Sequence, residues 1–379
     1  MNIIWISKIS MDIPHKTSRL KMAEALRKRG NNVILYMMKK IGNNAFYGND
    51  IVLIPTIDVP ILSSIFFGLT VFFYFPIALN KKQIDIIIID CTKVWIPFII
   101  PLKIFNIPII LDIRTLPIDR EKSFYFDSSL YLSRYIINGI STITSELKNM
   151  IREKYDIENT KIGVWSSGVS VEDFNRDEIG QSKLFEDISK KFILIYHGDY
   201  SPTRGIENLI KSISKLSLLV RNNIILVIIG IPTDKINQLS LLSELEGVKD
   251  QIRFFQKTDY TEIIHYIKNS DVGIIPLPPE NKWWRVSAPL KTLEYLAAEK
   301  PIIATNIPFH QDIFKRGNCG ILIGSSKPVE IAKAIDTMYK KRKEMKKFGI
   351  TGRKIVEKFY TWDLMAKKYE LFLETFSKK

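Results

Sequence analysis

The sequence predicts an α/β protein made of two doubly wound parallel-sheet domains, and three observations predict it. Short apolar runs alternate with amphipathic stretches of helical period along the whole chain. The central runs, such as residues 84–90 (IDIIIID) and 224–229 (IILVII), are apolar throughout instead of alternating. The pattern halts in a polar stretch around residues 174–190 and then starts again. A strand that is apolar on both faces is covered on both faces, the environment of a parallel sheet with helices on each side. A length of 379 residues suits about two domains.

Taken in order, residues 2–6 (NIIWI) read as a strand. A helical pattern follows through Arg19, Met22, Ala23 and Leu26, closed by Gly30, and residues 33–37 (VILYM) complete a βαβ unit. Residues 84–90, 108–113 (PIILDI) and 140–144 (ISTIT) supply further strands, the last running into a helix over residues 145–155. The second series begins with residues 192–196 (FILIY), a glycine turn and a helix over about residues 205–219. Strands at 224–229, 252–255 (IRFF), 272–275 (VGII) and 301–304 (PIIA) follow, with helices between them. Residues 362–376 form a last helix, too short to be a domain. The expected domains are 1–178 and 190–360, with a helix at about 362–379 packing back onto the first. Two such sheets leave a cleft between the carboxyl ends of their strands, where open α/β sheets bind ligands.

Composition narrows the function. An apolar fraction of 46% and a charged fraction of 25% exclude a disordered or low-complexity chain. Cys91 and Cys319 stand alone, with no CxxC, which argues against a disulfide framework or a cysteine zinc site and suits a reducing, cytoplasmic setting. Lys and Arg number 55 against 40 Asp and Glu, and the excess is greater in the second half, where residues 181–379 hold 33 basic and 22 acidic side chains. The first 40 residues carry nine basic and two acidic side chains, and residues 340–347 read KKRKEMKK. An anionic partner is expected: nucleic acid, an anionic membrane surface or a phosphorylated small molecule. With no zinc finger, RNP box or basic zipper, nucleic acid is not expected.

The N-terminus is not a secretory signal, because Lys8 breaks its apolar run and no charged region precedes it. Residues 59–79 are 21 positions without a charge, long enough for a bilayer span. Pro60, Pro76 and the polar Ser63, Ser64 and Thr70 count against one, so an interfacial helix and a buried helix stay open beside it. Lys81 and Lys82 suit the interfacial reading.

Missing motifs prune further. There is no GxGxxG, GxxxxGK[ST], HExxH or GxSxG, and no aspartates at i and i+2 to hold a metal and diphosphate. Three constellations remain, of which residues 165–170 (WSSGVS) with Phe174, between the halves, read in isolation only as a turn. Residues 196–205 (YHGDYSPTRG) make a strand end, a glycine turn and a helix start, where free N–H groups favour an anion and Arg204 adds a forked donor. An ordinary βα loop with a surface arginine reads the same way. Residues 285–297 (RVSAPLKTLEYLA) enter a helix through Ser287 and Pro289; Lys291 lies in its first turn and Glu294 at i+3 on the same face. So placed, Glu294 suits the two hydroxyls of a ribose while Lys291 and loop N–H groups meet a diphosphate; alternatively, the two side chains simply pair on the helix surface.

Together these segments resemble the retaining glycosyltransferases of glycosyltransferase family 4 over nearly the whole chain. The family's N-G-V-D-x-x-x-F turn corresponds to Ser167-Gly168-Val169-Ser170 with Phe174, and its G-R-x-x-x-x-K-G segment to Gly198-Asp199 with Arg204-Gly205. The last glutamate of its E-x7-E motif corresponds to Glu294, whereas Val286 occupies the first position and Asp199 replaces the arginine. Ser18-Arg19 resembles its first helix, Asp112-Ile113-Arg114 a strand end facing the cleft, and Tyr360-Thr361-Trp362-Asp363 the start of its returning helix. Its double-glycine loop is replaced by Asp12-Ile13-Pro14-His15.

The resemblance implies a GT-B fold, two Rossmann-like domains facing each other across a cleft. It implies transfer of a sugar from a nucleoside-diphosphate sugar, a UDP-sugar among them, to an acceptor hydroxyl, with retention, in surface polysaccharide or glycolipid assembly. The donor would be held by Gly198, Arg204, Ser287, Pro289, Leu290, Lys291 and Glu294. Arg204, Lys291 and Asp112 are the candidate catalytic residues, and His15 and Arg114 acceptor-side candidates. No metal or other cofactor is expected. The expected partners are the donor, a glycan or lipid-linked acceptor and, peripherally, an anionic membrane at the inner face of the cell membrane. A non-catalytic nucleotide-sugar binder or scaffold is the alternative.

Overall fold

A computed structural model describes residues 1–10, 17–40, 50–56, 66–70, 73, 83–91, 102–116, 124, 126–128, 130, 131, 135–158, 161–175, 188 and 190–377. The chain falls into two compact units, Met1–Ser167 with Trp362–Lys379, and Gly168–Thr361.

In the first unit seven parallel strands lie in the order β3-β2-β1-β4-β5-β6-β7. They are β1 (Asn2–Ser10), β2 (Asn32–Lys40), β3 (Ile51–Thr56), β4 (Ile86–Asp90), β5 (Ile109–Ile113), β6 (Gly139–Thr142) and β7 (Ile162–Val164). Ile4 lies opposite Ile34 on one side and Ile87 on the other, and every residue of β4 and β5 is buried. Those strands carry isoleucine on both faces because both faces are covered, each fully buried isoleucine contributing about 1.5–3 kcal/mol. The helix Ser145–Tyr155 starts where Thr144 accepts from Leu147 N–H at 3.2 Å, satisfying a donor its first turn would leave open. The C-terminal helix Trp362–Glu374 belongs to this unit: Tyr369 stacks on Trp165 at 5.2 Å and Leu373 is fully buried. Its aromatic ring at Phe372 sits so close to Gly163 that a Cβ there would come within 2.5 Å.

In the second unit six parallel strands run β10-β9-β8-β11-β12-β13. They are β8 (Phe192–His197), β9 (Ile224–Ile229), β10 (Ile252–Phe255), β11 (Val272–Ile275), β12 (Ile302–Thr305) and β13 (Gly320–Ile323). Leu194, Leu226, Ile228 and Ile274 join Ile206, Leu209, Ile213 and Ile335 from the helices in one core. Both sheets therefore have the doubly wound form that the alternation predicts.

Three strands are additions to that reading: β3, β7 and β13 all lie at sheet edges, and the sequence pattern gives no sign of them. A second departure concerns the helix expected over residues 205–219. It is two helices, Ile206–Ser214 and Leu218–Arg221, because Lys215 closes the first and Ser217 is extended (ψ 145°), which lets Leu216 turn into the core. Of residues 59–79 only 66–70 and 73 are described. They are helical, with Phe67 buried and Phe66, Leu69 and Phe73 exposed by 43, 47 and 68%. Among the described residues no helix is long and apolar enough to cross a membrane.

Candidate functional site

The carboxyl end of the second sheet gathers the predicted charged residues. β8 ends at His197 and turns at Gly198, whose φ of +127° suits a residue without a side chain. The space a Cβ would fill is already taken, since Lys291 Nζ would lie 2.8 Å from it and Arg204 Nη1 4.0 Å. Two cations from different elements thus converge over one glycine. Arg204 closes the short turn Pro202–Arg204, begun by Ser201, and its guanidinium lies 5.2 Å over Trp284. Trp284 in turn donates from Nε1 to Thr203 O at 2.7 Å, tying the turn Lys282–Arg285 to the arginine's loop.

Lys291 and Glu294 come from the helix Leu290–Ala297, in which residues 291–297 are all buried. That helix is pinned to the sheet by Tyr295, whose Oη accepts from His197 N–H at 3.0 Å and whose ring occupies the space over Gly273, where a Cβ would come within 2.2 Å. The helix starts at Pro289 with no side-chain cap, and Ser287 spends its hydroxyl on Trp284 O at 2.9 Å.

Lys291 and Glu294 do not pair with each other. Glu294 Oε2 lies 3.2 Å from His197 Nε2, a close approach out of line for a hydrogen bond. Lys291 Nζ has no hydrogen-bond partner and lies 3.8 Å over the Tyr196 ring. Burial, reinforced by the positive charge of Arg204, pushes Lys291 well below its usual range despite attraction from Glu294 and Asp199. Tyr196 is pushed up to about 12, chiefly by burial, with Arg204 opposing. A buried amine that makes no hydrogen bond or ion pair is a costly arrangement that an anion would relieve. The surface ion pair is therefore the reading of Lys291 and Glu294 that drops out.

His197 is the residue that the motif spacing does not single out; a histidine in such a chain otherwise reads as a satisfied polar group. Its place at the strand end, one residue before Gly198, was the available signal. His310 is such a satisfied group: Nδ1 donates to Thr305 O at 2.7 Å, Nε2 accepts from Thr292 at 3.0 Å, and burial lowers it to about 4.

The first unit brings Asp112 and Arg114 to the carboxyl end of its own sheet. Asp90, Asp112 and Ser141 stand side by side in register across β4, β5 and β6. Asp90 accepts from Trp5 Nε1 at 3.0 Å, from Arg19 Nε at 3.1 Å and from Ser7. Asp112 Oδ1 accepts from Ser141 at 2.6 Å and Trp165 Nε1 at 2.9 Å, and Ser141 also meets Tyr369 Oη at 3.1 Å. Burial raises Asp112 to about 6, with Arg114 opposing and the neighbouring Asp90 adding to the rise. His15, with the loop at residues 11–16, lies outside the described residues. Among the described residues no cluster of His, Cys, Asp and Glu is arranged to hold a metal ion.

Known proteins match both units. The profile named Glycosyltransferase Family 4 matches residues 17–173, and that named Glycosyl transferases group 1 matches residues 180–355. An uncharacterized glycosyltransferase of Methanocaldococcus jannaschii is 25% identical over 238 residues, 62% of this chain; the match spans 58% of that relative's length. The capsular polysaccharide biosynthesis glycosyltransferase CapM of Staphylococcus aureus is 24% identical over 296 residues, covering 74% of this chain and 72% of CapM. Among solved structures, Anabaena HepE in complex with UDP-glucose superposes with a TM-score of 0.76 at 13% identity, covering 99% of this chain and all of that one. The last likeness shows the fold, GT-B with two Rossmann-like domains.

Proposed function

We propose, from the premise that the chain belongs to the glycosyltransferases of the family 4 and group 1 type, that its second unit binds a nucleoside-diphosphate sugar and that its first unit presents an acceptor hydroxyl to it. The observation that carries the reading is the convergence of Lys291 and Arg204 over Gly198, with Glu294 and His197 beside them. Two cations at a strand end that has no side chain fit a diphosphate, whose oxygens approach the backbone where only glycine leaves room. Glu294 then accepts from ribose hydroxyls, with the His197 imidazole 3.2 Å from its carboxylate.

In the mechanism, charge builds on the leaving diphosphate as the glycosidic bond breaks, so Arg204 and Lys291 stabilise the transition state more than the ground state. Lys291 is the sharper device. Its ammonium is disfavoured in the empty site and favoured once phosphate oxygens surround it, so its charge is called up by the ligand it serves. The reading extends to retention, to UDP as the nucleotide, as in the complexed HepE structure, and to polysaccharide or glycolipid assembly, in line with the capsular polysaccharide biosynthesis for which CapM is named. Asp112 is buried in its network and belongs to the acceptor side of the proposal. Contact with an anionic membrane is part of it through the exposed Phe66, Leu69 and Phe73.

A thermal-shift panel of UDP-, GDP-, ADP- and CMP-sugars against wild type and Glu294→Ala tests the donor half. One nucleotide class should stabilise the wild type, by about 2.7 kcal/mol at a hundred times its dissociation constant, and fail to stabilise the variant. A silent panel would remove the reading. Asp199, whose carboxylate acts on Lys291 where a phosphate would, favours one second reading, a nucleotide-sugar binder without turnover. Donor binding without transfer to any acceptor, and no hydrolysis, would support it.

A further inference from the structure

Three buried polar atoms of the first unit have no hydrogen-bond partner among the described residues: Asp112 Oδ2, Arg114 Nε and Arg114 Nη2. Asp112 is 1% exposed and Arg114 9%. The guanidinium is nonetheless held twice, since Nη1 donates to Trp165 O at 2.7 Å and Cζ lies 3.4 Å over the Trp165 ring. Nε–H and Nη2 are what this leaves free, the two donors along one edge of the plane, and they make the side-on fork that matches two oxygens of a carboxylate or phosphate. Among the described residues no carboxylate comes within ion-pair distance of Arg114; Asp112 attracts the guanidinium from farther off and leaves its fork without a hydrogen-bond partner. Arg114 follows β5 directly, at the carboxyl end of a parallel sheet, where ligands of such sheets bind. Asp112 stands two residues earlier and offers one unused acceptor oxygen to a hydroxyl.

Building on the reading of the first unit as the acceptor side, we infer that the acceptor is anionic: its carboxylate or phosphate sits two-pronged on Arg114 Nε and Nη2, and a neighbouring hydroxyl of the same molecule donates to Asp112 Oδ2. Asp90 already has Arg19 at 3.1 Å and two further donors, so it is not available to the Arg114 fork. The competing occupant is a single internal water accepting from the fork and donating to Asp112, which uses the same three atoms.

The test uses the full chain, with thermal unfolding titrated by methyl glucuronide, glucose 6-phosphate and neutral methyl glucoside, in wild type, Arg114→Gln and Arg114→Lys. UDP-glucose and the other nucleotide sugars serve as donor controls. An anionic probe should stabilise the wild type while the glucoside does not, and whichever anion responds names carboxylate or phosphate as the source. Its affinity should fall at least tenfold in both variants, because lysine restores the charge without the fork, while the donor response is kept. Arg114→Lys retains a cationic stem to lie on Trp165 and stands in should the glutamine variant fail to fold. Equal responses to neutral and anionic probes, unchanged affinity in Arg114→Lys, or a probe-soaked crystal with only a water between the fork and Asp112 would each overturn the inference. Donor stabilisation with silent anions removes the anionic acceptor and leaves the glycosyltransferase reading standing. If no nucleotide sugar stabilises the wild type, the glycosyltransferase reading itself falls.

Discussion

At the scale of single residues, His310 and Lys291 show how burial sets behaviour in opposite ways. His310 is fully buried and neutral, with Nδ1–H given to a carbonyl and Nε2 accepting from Thr292. Its folded value near 4 lies below the unfolded value of 6.5, so the stability it contributes is full above pH 6.5 and is lost as pH falls towards 4. At pH 5 the loss should be about 2 kcal/mol. Asp112, raised to about 6, works against it over the same range, its contribution being present at low pH and lost as pH rises through 6. Urea melts at pH 7 and pH 5 should therefore be compared between wild type and His310→Gln. The pH 5 penalty should be smaller in the variant by about that amount, and an identical pH slope would show that His310 does not titrate on unfolding. Lys291 carries a cost already present at neutral pH. Lys291→Met removes a buried amine with no hydrogen-bond partner and keeps an apolar stem against Tyr196, so the unliganded protein should be at least as stable as wild type while losing its stabilisation by nucleotide sugars. A clear drop in unliganded stability would mean that the amine has a structural partner.

At the scale of elements, the turns that aim the site are more constrained than the helices that carry it. Gly205 has φ +75°, and a Cβ there would come within 2.1 Å of Pro276 O, a backbone atom that does not give way. Gly205→Ala should cost about 2 kcal/mol or more by chemical denaturation, from left-handed strain and the clash together, and should displace Arg204 next to it. A neutral result would show that the loop can move off Pro276. The exposed Phe66, Leu69 and Phe73 make a different prediction at this scale: if they seat on anionic lipid, a Phe66/Phe73→Ser variant should lose flotation with anionic liposomes that the wild type shows. Equal recovery in the soluble fraction would dismiss the contact. The same contrast explains what was legible in the sequence. Central strands such as β4 and β9 are isoleucine runs because both faces are covered, and their shortness and β-branched content set them apart from a buried helix. Of the edge strands, β10 shows in its IRFF run, whereas β3 contains Pro55, β7 is three residues long, and β13 starts at a glycine with its first residues half-buried, so those three leave no periodic trace. Lys291 and Glu294 could be found because a loop, a proline and i+3 spacing announce a helix start. His197 is marked only by its place at the strand end before Gly198, and the partners that give it meaning, Tyr295 and Glu294, lie about a hundred residues away. The orphaned fork of Arg114 likewise depends on Trp165, 51 residues on, which no local pattern encodes.

At the scale of the whole molecule, the first unit is built from both ends of the chain and the second from its middle. The terminal helix places Tyr369 between Trp5 and Trp165, hydrogen-bonds it to Ser141, and joins Glu370 to Arg29 at 2.7 Å and Asn31 at 2.5 Å. Removing residues 362–379 would strip the wall from two buried tryptophans and leave Ser141 and Arg29 short of partners, a loss of several kcal/mol against the 5–15 kcal/mol on which a domain typically subsists. The second unit keeps its own core and all of Gly198, Arg204, Lys291 and Glu294 without that helix. Scanning calorimetry of the truncated chain should therefore show the first unit's transition lowered or lost. The remaining transition should still rise with the nucleotide sugar that stabilises the wild type, while transfer to an acceptor is abolished. Were the truncation to silence nucleotide-sugar binding as well, donor recognition would depend on the first unit, and the division of labour argued from the two sheets would be wrong.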